Sequence, residues 1–353
     1  MISQVVITMI SIIILNYNTG QLLIDCVQSV INSNIEDFEI ILVDNLSMDK
    51  SHLKCKEKFE NVILIENKEN LGYCEGNNVG LRNARGEFII ILNPDTAVTP
   101  NWIRELKDAY KKFGEGLYQP KILSMSNPKK LGTTGNKINI FGFGFSRGRG
   151  YEDENQYNEI EQVGYASGTC LFMAKKTFEK IGFLDSFLFA YHDDLEYGWR
   201  ALELGIKSYY VPKSIIYHAE SFIFKWKPFK FYLLERNRQY CLLTHYSRQT
   251  LYRILPELIF MEILVLIFYT IKGLLLQKIK AYFNILRNWK KIKQKYYEIQ
   301  KQKKNLDHEI IKYFDDEIII PLELSKLSKN SVFLNVVKKI GKRAHKKIIS
   351  ENI

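Results

Sequence analysis

Phe88-Ile89-Ile90-Ile91-Leu92-Asn93-Pro94-Asp95-Thr96 is an apolar run of five residues that stops on an amide, a proline and a carboxylate. A run of that kind reads as a strand buried on both faces, as parallel strands covered by helices are. Its polar stop would then lie at the strand's carboxyl end, where ligands sit in an open α/β sheet. Two other runs have the same form: residues 10–15 stop on Asn16-Tyr17-Asn18, and Ile40-Ile41-Leu42-Val43 stops on Asp44-Asn45. Working outward, strands are expected at 10–15, 39–43, 62–65 and 88–92. Helices are expected between and after them at 21–32, 51–59, 76–84 and 102–113, the last opened by Pro100. The alternation predicts an α/β fold with a mostly parallel sheet and helices on both faces.

Residues 132–162 break the pattern, being rich in Gly, Asn, Phe and charge without a period, and read as a long loop or mobile flap. Order resumes with a strand at 166–174, helices at 176–181 and 193–204 stopped by Gly205, and a strand at 208–211 before His218. Beyond Phe229 the chain reads as long helices, first aromatic and apolar, then basic.

With 353 residues and 46% hydrophobic content, the chain can build one large domain and something extra. The net charge is +11, and the stretch from Lys272 to Lys304 holds eleven Lys or Arg against one acidic residue, Glu298, so nearly all of the excess sits there. Five widely spaced cysteines without a CxxC pair argue against a disulfide framework or zinc site, and point to a reducing cytoplasm. The apolar stretch 5–15 has no basic residues before it and no small-residue cleavage site after it, so it reads as a buried strand and not as a targeting segment.

Asp95 could ligate a hard divalent cation, Mg²⁺ or Mn²⁺, which binds through one or two carboxylates plus substrate phosphates. It could equally make an Asx turn beside Pro94 and Thr96. Asp44 can accept a hydrogen bond from a base or ribose, with Asn16 and Asn18 at a similar strand end, or can simply cap the next helix with Asn45. Asn70-Leu71-Gly72-Tyr73 with Gly76 and Asn77 offers glycine and amides before a helix, where backbone N–H groups can meet a phosphate, although the spacing is not G-x-G-x-x-G. His192-Asp193-Asp194-Leu195-Glu196 crowds three carboxylates at a helix start. Glu196 fits an i, i+4 ion pair with Arg200, while Asp193 or Asp194 can cap the helix or take a proton from an attacking hydroxyl. His218, alone after an apolar run, is either structural or a metal ligand.

In order and spacing these motifs resemble the inverting family 2 glycosyltransferases of GT-A fold, especially the branch with rhamnosyl and galactofuranosyl transferases. The resemblance runs from about residue 12 to 218, and Glu235-Arg236-Asn237-Arg238 is also similar. It implies a catalytic domain over 1–228 and binding of a nucleoside-diphosphate sugar by Asn16, Tyr17, Asn18, Asp44, Asn45, Asn70, Gly72, Tyr73, Asn77, Asn93, Ser167 and Gly168. Asp95 matches the last carboxylate of a D-x-D motif whose first is Asn93 here, and His218 matches a histidine completing the metal site. Asp194 matches the catalytic base, with Asp193 where Glu is usual. Sugar transfer to an acceptor hydroxyl of a glycan or lipid-linked glycan would then proceed with inversion.

A nucleotidyltransferase is the nearest rival, but Tyr17-Asn18-Thr19-Gly20-Gln21 lacks the basic residue its phosphate loop would need. A catalytically silent nucleotide-sugar or membrane binder is the alternative from another class. Nucleic acid is not the expected partner of the basic segment, despite its interleaved aromatics. Residues 229–305 are expected to lie on an anionic membrane face, the alternative being an ordinary core helix packed on the catalytic domain with a solvated basic face, and 306–353 to form a basic helical tail. The longest charge-free run, 263–271, is far short of the ~20 residues that span a bilayer, so a peripheral position on the inner face of the cell membrane is expected.

Overall fold

A computed structural model describes residues 9–219, 227–318 and 331–350. Residues 1–8, 220–226, 319–330 and 351–353, which include the start of the stretch weighed as a targeting segment and parts of the expected tail, lie outside the described residues.

Four parallel strands form the first half of the sheet: β1 (Ile10–Asn16), β2 (Phe38–Asp44), β3 (Ile63–Glu66) and β4 (Phe88–Leu92), with β1 between β2 and β4 and β2 followed by β3. In β1, β2 and β4 the side chains alternate between two buried faces, which is why those sequence runs are continuously apolar, whereas β3 lies at the sheet edge and is partly exposed. Ile12, Ile14, Leu42 and Ile90 enter one core with Leu23 and Val27 of α1 (Gln21–Ile31) and Leu106 of α4 (Trp102–Phe113). Ile13, Leu15, Val43 and Ile91 enter the other with Leu81 of α3 (Gly72–Asn83). Helix α3 comes very close to β1: a Cβ on Gly76 would lie 2.5 Å from the Leu15 side chain, and one on Gly80 would lie 2.4 Å from that of Ile13. Helix α2 (Ser51–Lys58) links β2 to β3.

After β4 the sheet becomes mixed, with β6 and β12 running like β4 and β11 running against them. Strand β5 (Thr96–Val98) and β6 (Gly116–Ser124) lead to β11 (Cys170–Ala174), which runs antiparallel between β4 and β6. Strand β12 (Lys207–His218) lies parallel to β6, and with β10 (Glu161–Val163) at its other side the full path reads β10-β12-β6-β11-β4-β1-β2-β3. Strand β6 has no counterpart in the sequence reading because Gln119-Pro120-Lys121 interrupts its apolar character. Proline can donate nothing to the ladder, and the register of β12 slips opposite it between Val211 and Ile215. Lys121, though buried, reaches Asp153 at 2.8 Å.

The flap expected at 132–162 is instead ordered. Strands β7 (Leu131–Thr133) and β10 (Glu161–Val163) extend the main sheet, while β8 (Asn136–Asn139) and β9 (Gly144–Ser146) form a second sheet with β13 (Phe314–Asp315). These strands are too short to show a period. The glycines provide the turns: Gly135, Gly142, Gly148 and Gly150 all have positive φ. The strand expected at 166–174 starts only at Cys170, the helix expected at 76–84 starts at Gly72, and the strand expected at 208–211 continues to His218.

Helices α5 (Lys175–Ile181) and α6 (Asp193–Glu203) precede β12. The helical region then comprises α7 (Pro228–His245), α8 (Arg248–Arg253), α9 (Leu255–Ile271), α10 (Leu275–Arg287), α11 (Trp289–Gln302), the short α12 (Asp307–Ile310) and α13 (Ser331–Ile349). It is tied to the sheet domain by buried charge. Arg200 of α6 grips Glu196 with two bonds of 3.0 and 2.8 Å, and His245 of α7 sits between Glu196 and Glu203. Burial alone would raise the Glu196 carboxyl, but Arg200 and His245 more than offset that and hold it well below the usual carboxylate range. All five cysteines are free and buried.

Candidate active site

Three strand ends converge. Asn16 pairs in register with Asp44, and its amide donates to Asp44 Oδ1 at 2.7 Å, Ser47 Oγ at 3.0 Å and Ser51 Oγ at 2.9 Å. The other Asp44 oxygen, Oδ2, accepts from Ser47 N–H at 2.8 Å, and His52 Nδ1 lies 3.3 Å from Oδ1. Asn18, at φ 53°, accepts from Met48 N–H at 2.7 Å. The loops after β1 and β2 are therefore joined by a polar network built from Asn16, Asn18 and Asp44, with Tyr17 half-buried beside it.

Asn45 continues the network. Its amide donates to Gly72 O at 3.0 Å and Asn70 Oδ1 at 3.3 Å, and its carbonyl accepts from Asn67 at 2.8 Å. Gly72 has φ +77°, and a Cβ there would lie 2.5 Å from the Phe189 ring. That close approach lets Phe189 O accept from Tyr73 N–H at 2.6 Å and Cys74 N–H at 3.2 Å, while Gly72 N–H is taken by Asn70 at 2.9 Å. These α3 amides, read in the sequence as open to a phosphate, are thus already bonded within the protein and do not form a free cradle. Asn77 is fully buried and bonded to Tyr73 O, which is a packing position and not a cleft one.

The centre of the arrangement is the turn Ser167-Gly168-Thr169. Asn93 N–H donates to Thr169 O at 2.9 Å, Gly168 N–H donates to Asp194 Oδ2 at 3.1 Å, and the Tyr73 hydroxyl donates to Gly168 O at 2.6 Å. Ser167 N–H is held by Gln119 at 2.8 Å, a contact that could not be read from the sequence because β6 itself was not visible there. The stop after β4, the α3 start and the α6 start therefore meet on two consecutive residues, Gly168 and Thr169.

Asp193 and Asp194 open α6, and Asp194 Oδ1 also accepts from Leu195 N–H at 2.9 Å. Burial raises both carboxyls above their ordinary range. Asp193 is raised further by the charge of Asp194, while the Gly168 and Leu195 amides restrain Asp194. Just before them Phe189, Tyr191 and His192 all have φ between 59° and 65°. For non-glycine residues such values cost about 1–3 kcal/mol each and persist only when surroundings enforce them. Asn237 and Arg236 of α7 do so. The Asn237 amide lies 3.0, 2.9 and 2.7 Å from the carbonyls of Leu188, Ala190 and Tyr191, and Arg236 donates to those of Phe187 and Leu188. The signal in the sequence was a cluster of consecutive polar residues, Glu235 to Arg238, inside an apolar helix.

Asp95 and His218 come from neighbouring strands. Thr96 pairs with His218, Ala219 N–H donates to Asp95 O at 2.9 Å, and His218 Nε2 lies 3.2 Å from Asp95 Oδ1. A partly exposed carboxylate and imidazole suit a divalent ion that draws its other ligands from a diphosphate and water. Among the described residues no group of three or more His, Cys, Asp or Glu side chains is placed to hold a metal by itself.

Comparison with known proteins agrees with this geometry. The chain is 26% identical over 210 residues to a low-salt glycan biosynthesis hexosyltransferase, Agl10, of Haloferax volcanii, a match covering 57% of the chain and 64% of that protein. It is 25% identical over 204 residues to an N-acetylglucosaminyl-diphospho-decaprenol L-rhamnosyltransferase of Mycobacterium tuberculosis, covering 52% of the chain and 66% of the relative. The chain thus spans just under two thirds of each. The crystal structure of GalNAc-T7 with UDP, GalNAc and Mn²⁺ superposes with a TM-score of 0.58 at 18% identity, over 71% of this chain and 51% of that one, which shows a GT-A-like fold. Residues 11–182, just under half of the chain, match the model of glycosyl transferase family 2.

Proposed function

We propose that the protein transfers a sugar from a nucleoside-diphosphate sugar to an acceptor hydroxyl of a glycan or lipid-linked glycan, with inversion. The observation that carries this reading is the turn at Gly168, which joins the Asp194 carboxylate to the end of β4, two residues before Asp95. A base and a diphosphate site at the two sides of one turn suit a displacement in which acceptor and leaving group lie in line. The L-rhamnosyltransferase relative supports a place near the rhamnosyl transferases.

In this reading Asp194 takes the acceptor proton as the hydroxyl attacks, and its two backbone donors fix the carboxylate's direction. The Asn16–Asp44 network and Tyr17 hold the base and ribose, and Asn93, Ser167 and Gly168 face the sugar. Asp95 and His218 would hold Mg²⁺ or Mn²⁺, which stabilises charge gathering on the departing diphosphate. Positioning of the two substrates supplies much of the acceleration.

The same reading places the protein on an anionic membrane face at the cytoplasmic side. Among the described residues no helix is long and apolar enough to cross a membrane. The acids that interrupt α9 are used internally: Glu262 binds Arg238, Lys278 and Tyr282, and Glu257 binds Lys347. Ile259, Phe260, Ile263, Ile267 and Phe268 are left exposed, as an interfacial helix requires.

Transfer from a panel of nucleotide sugars, followed by NMR of the product's anomeric centre, tests the reaction. Inverted product is expected, with loss of transfer in excess chelator and recovery on adding Mg²⁺ or Mn²⁺. Retained configuration would overturn the single displacement, and undiminished transfer in chelator would overturn the metal site.

A further inference from the structure

Helix α10 and Tyr232 of α7 border an open groove of about 380 Å³ lined by Tyr232, Ile279, Lys280, Phe283, Asn284 and Arg287. Its composition is unusual for a surface between packed helices. Phe283 is 66% exposed and Ile279 52%, although their helix buries Lys278, Ala281 and Ile285 on its other side. Lys278 is neutralised there by Glu235 and Glu262. Lys280 and Arg287, by contrast, are exposed and have no hydrogen-bond or ion-pair partner among the described residues. Two unpaired cations beside two exposed apolar side chains match a ligand that joins phosphate to hydrocarbon. Phosphate oxygens meet Lys and Arg through charge-assisted bonds, and a chain would cover Phe283 and Ile279.

The position of the groove indicates which such ligand. Tyr232 lies one helical turn from Arg236, whose guanidinium rests 5.6 Å from the Tyr232 ring and 5.0 Å from that of Phe187. Arg236 and Asn237 hold the backbone that leads into Asp193 and Asp194. One helix therefore borders both the groove and the loop that positions the candidate base. We propose that the α7–α10 groove is the subsite for the lipid end of a lipid-linked acceptor, with its phosphates on Lys280 and Arg287 and the first part of its hydrocarbon chain along Ile279 and Phe283. This rests on the sugar-transfer reading and adds to it a defined place for the acceptor's anchor, separate from the exposed face of α9.

The test uses the full chain with farnesyl diphosphate as a soluble probe, in excess UDP so that a diphosphate site near Asp95 is occupied. Binding is followed by equilibrium dialysis beside inorganic pyrophosphate and phosphatidylglycerol vesicles. Saturable one-to-one binding of farnesyl diphosphate is expected, with pyrophosphate at least about tenfold weaker because burial of several CH₂ groups is lost. Lys280→Glu with Arg287→Glu should weaken farnesyl diphosphate binding by about tenfold or more, and Phe283→Ser should bring it toward the pyrophosphate level. The charge-matched pair Lys290→Glu with Lys291→Glu, outside the groove, should leave it near wild type. Equal losses in the two charge-reversed proteins would show diffuse electrostatics and overturn the subsite, as would variants that lose thermal stability but bind the probe like wild type. Phosphatidylglycerol vesicles that displace the probe fully would assign the groove to bulk lipid and overturn the acceptor role. Transfer to a water-soluble acceptor should be unchanged in all groove variants. If wild type shows no transfer to any acceptor, the sugar-transfer reading fails while the binding result still decides whether the groove takes this ligand.

Discussion

Asp193 and Asp194 occupy adjacent positions, yet their surroundings differ. Asp194 faces two backbone donors and lies beside the Gly168 turn, whereas Asp193 is buried and feels the charge of its neighbour. Burial disfavours two ionised carboxylates in this space, so the pair holds a proton at pH values where ordinary carboxylates have lost theirs. The sign for stability follows. Where the folded protein binds more protons than the unfolded chain, the free energy of unfolding falls as pH rises. Proton-linked stability from Asp193 is full below the ordinary carboxylate range and is lost as pH climbs through its raised value. Asp193→Asn, which has nothing to ionise, should therefore gain on wild type by about 1 kcal/mol or more between pH 5 and pH 9. Urea denaturation across that range measures it, and parallel pH curves for the two proteins would contradict the assignment. The two carboxylates were visible in the sequence as a cluster at a helix start. Their division of roles was not, because it depends on which backbone amides from 168 and 195 reach which oxygen.

Among the elements, α7 does most to shape the site without contributing a candidate reacting group. The Asn237 amide has two hydrogens, which serve three carbonyls of a loop containing three residues at positive φ. Asn237→Ala leaves those carbonyls without their donor at a cost of about 1–3 kcal/mol each when buried. Stability should fall by about 2 kcal/mol or more, and the transfer rate should fall at least tenfold while donor affinity holds, since a small misplacement of a base costs rate steeply. Calorimetric donor binding beside steady-state kinetics separates the two effects, and a change in donor affinity alone would contradict this role. The strands around β1 were legible because both faces of each are buried and their runs are unbroken. Strand β6 was hidden by Gln119, Pro120 and Lys121, whose buried polar groups are satisfied by partners far along the chain. The segment 132–162 was misread for another reason: its strands of three or four residues carry no periodic signal, and one of its sheet partners, β13, lies about 175 residues away.

For the whole molecule, charge is sorted by depth. The helical region buries Arg238, Lys278, Glu235 and Glu257 in ion pairs and leaves apolar side chains and unpaired lysines outward. An interface-bound protein needs that distribution, with apolar contact at the headgroups and about 1 kcal/mol from each basic residue near an anionic surface. Flotation with liposomes should show binding that requires anionic lipid and weakens with salt, and equal binding to neutral vesicles in high salt would contradict the electrostatic part. The sequence displayed the apolar and basic stretches but could not show that Glu257 and Glu262 turn inward, which makes the outer face of α9 apolar.

Asp194, set on the Gly168 turn, is the proposed base for sugar transfer. Its most direct test is the transfer rate of Asp194→Asn beside that of wild type, at saturating donor and with donor affinity measured on the same samples. A loss of about 10²-fold or more is expected, with donor affinity unchanged. Turnover near the wild-type rate would contradict it.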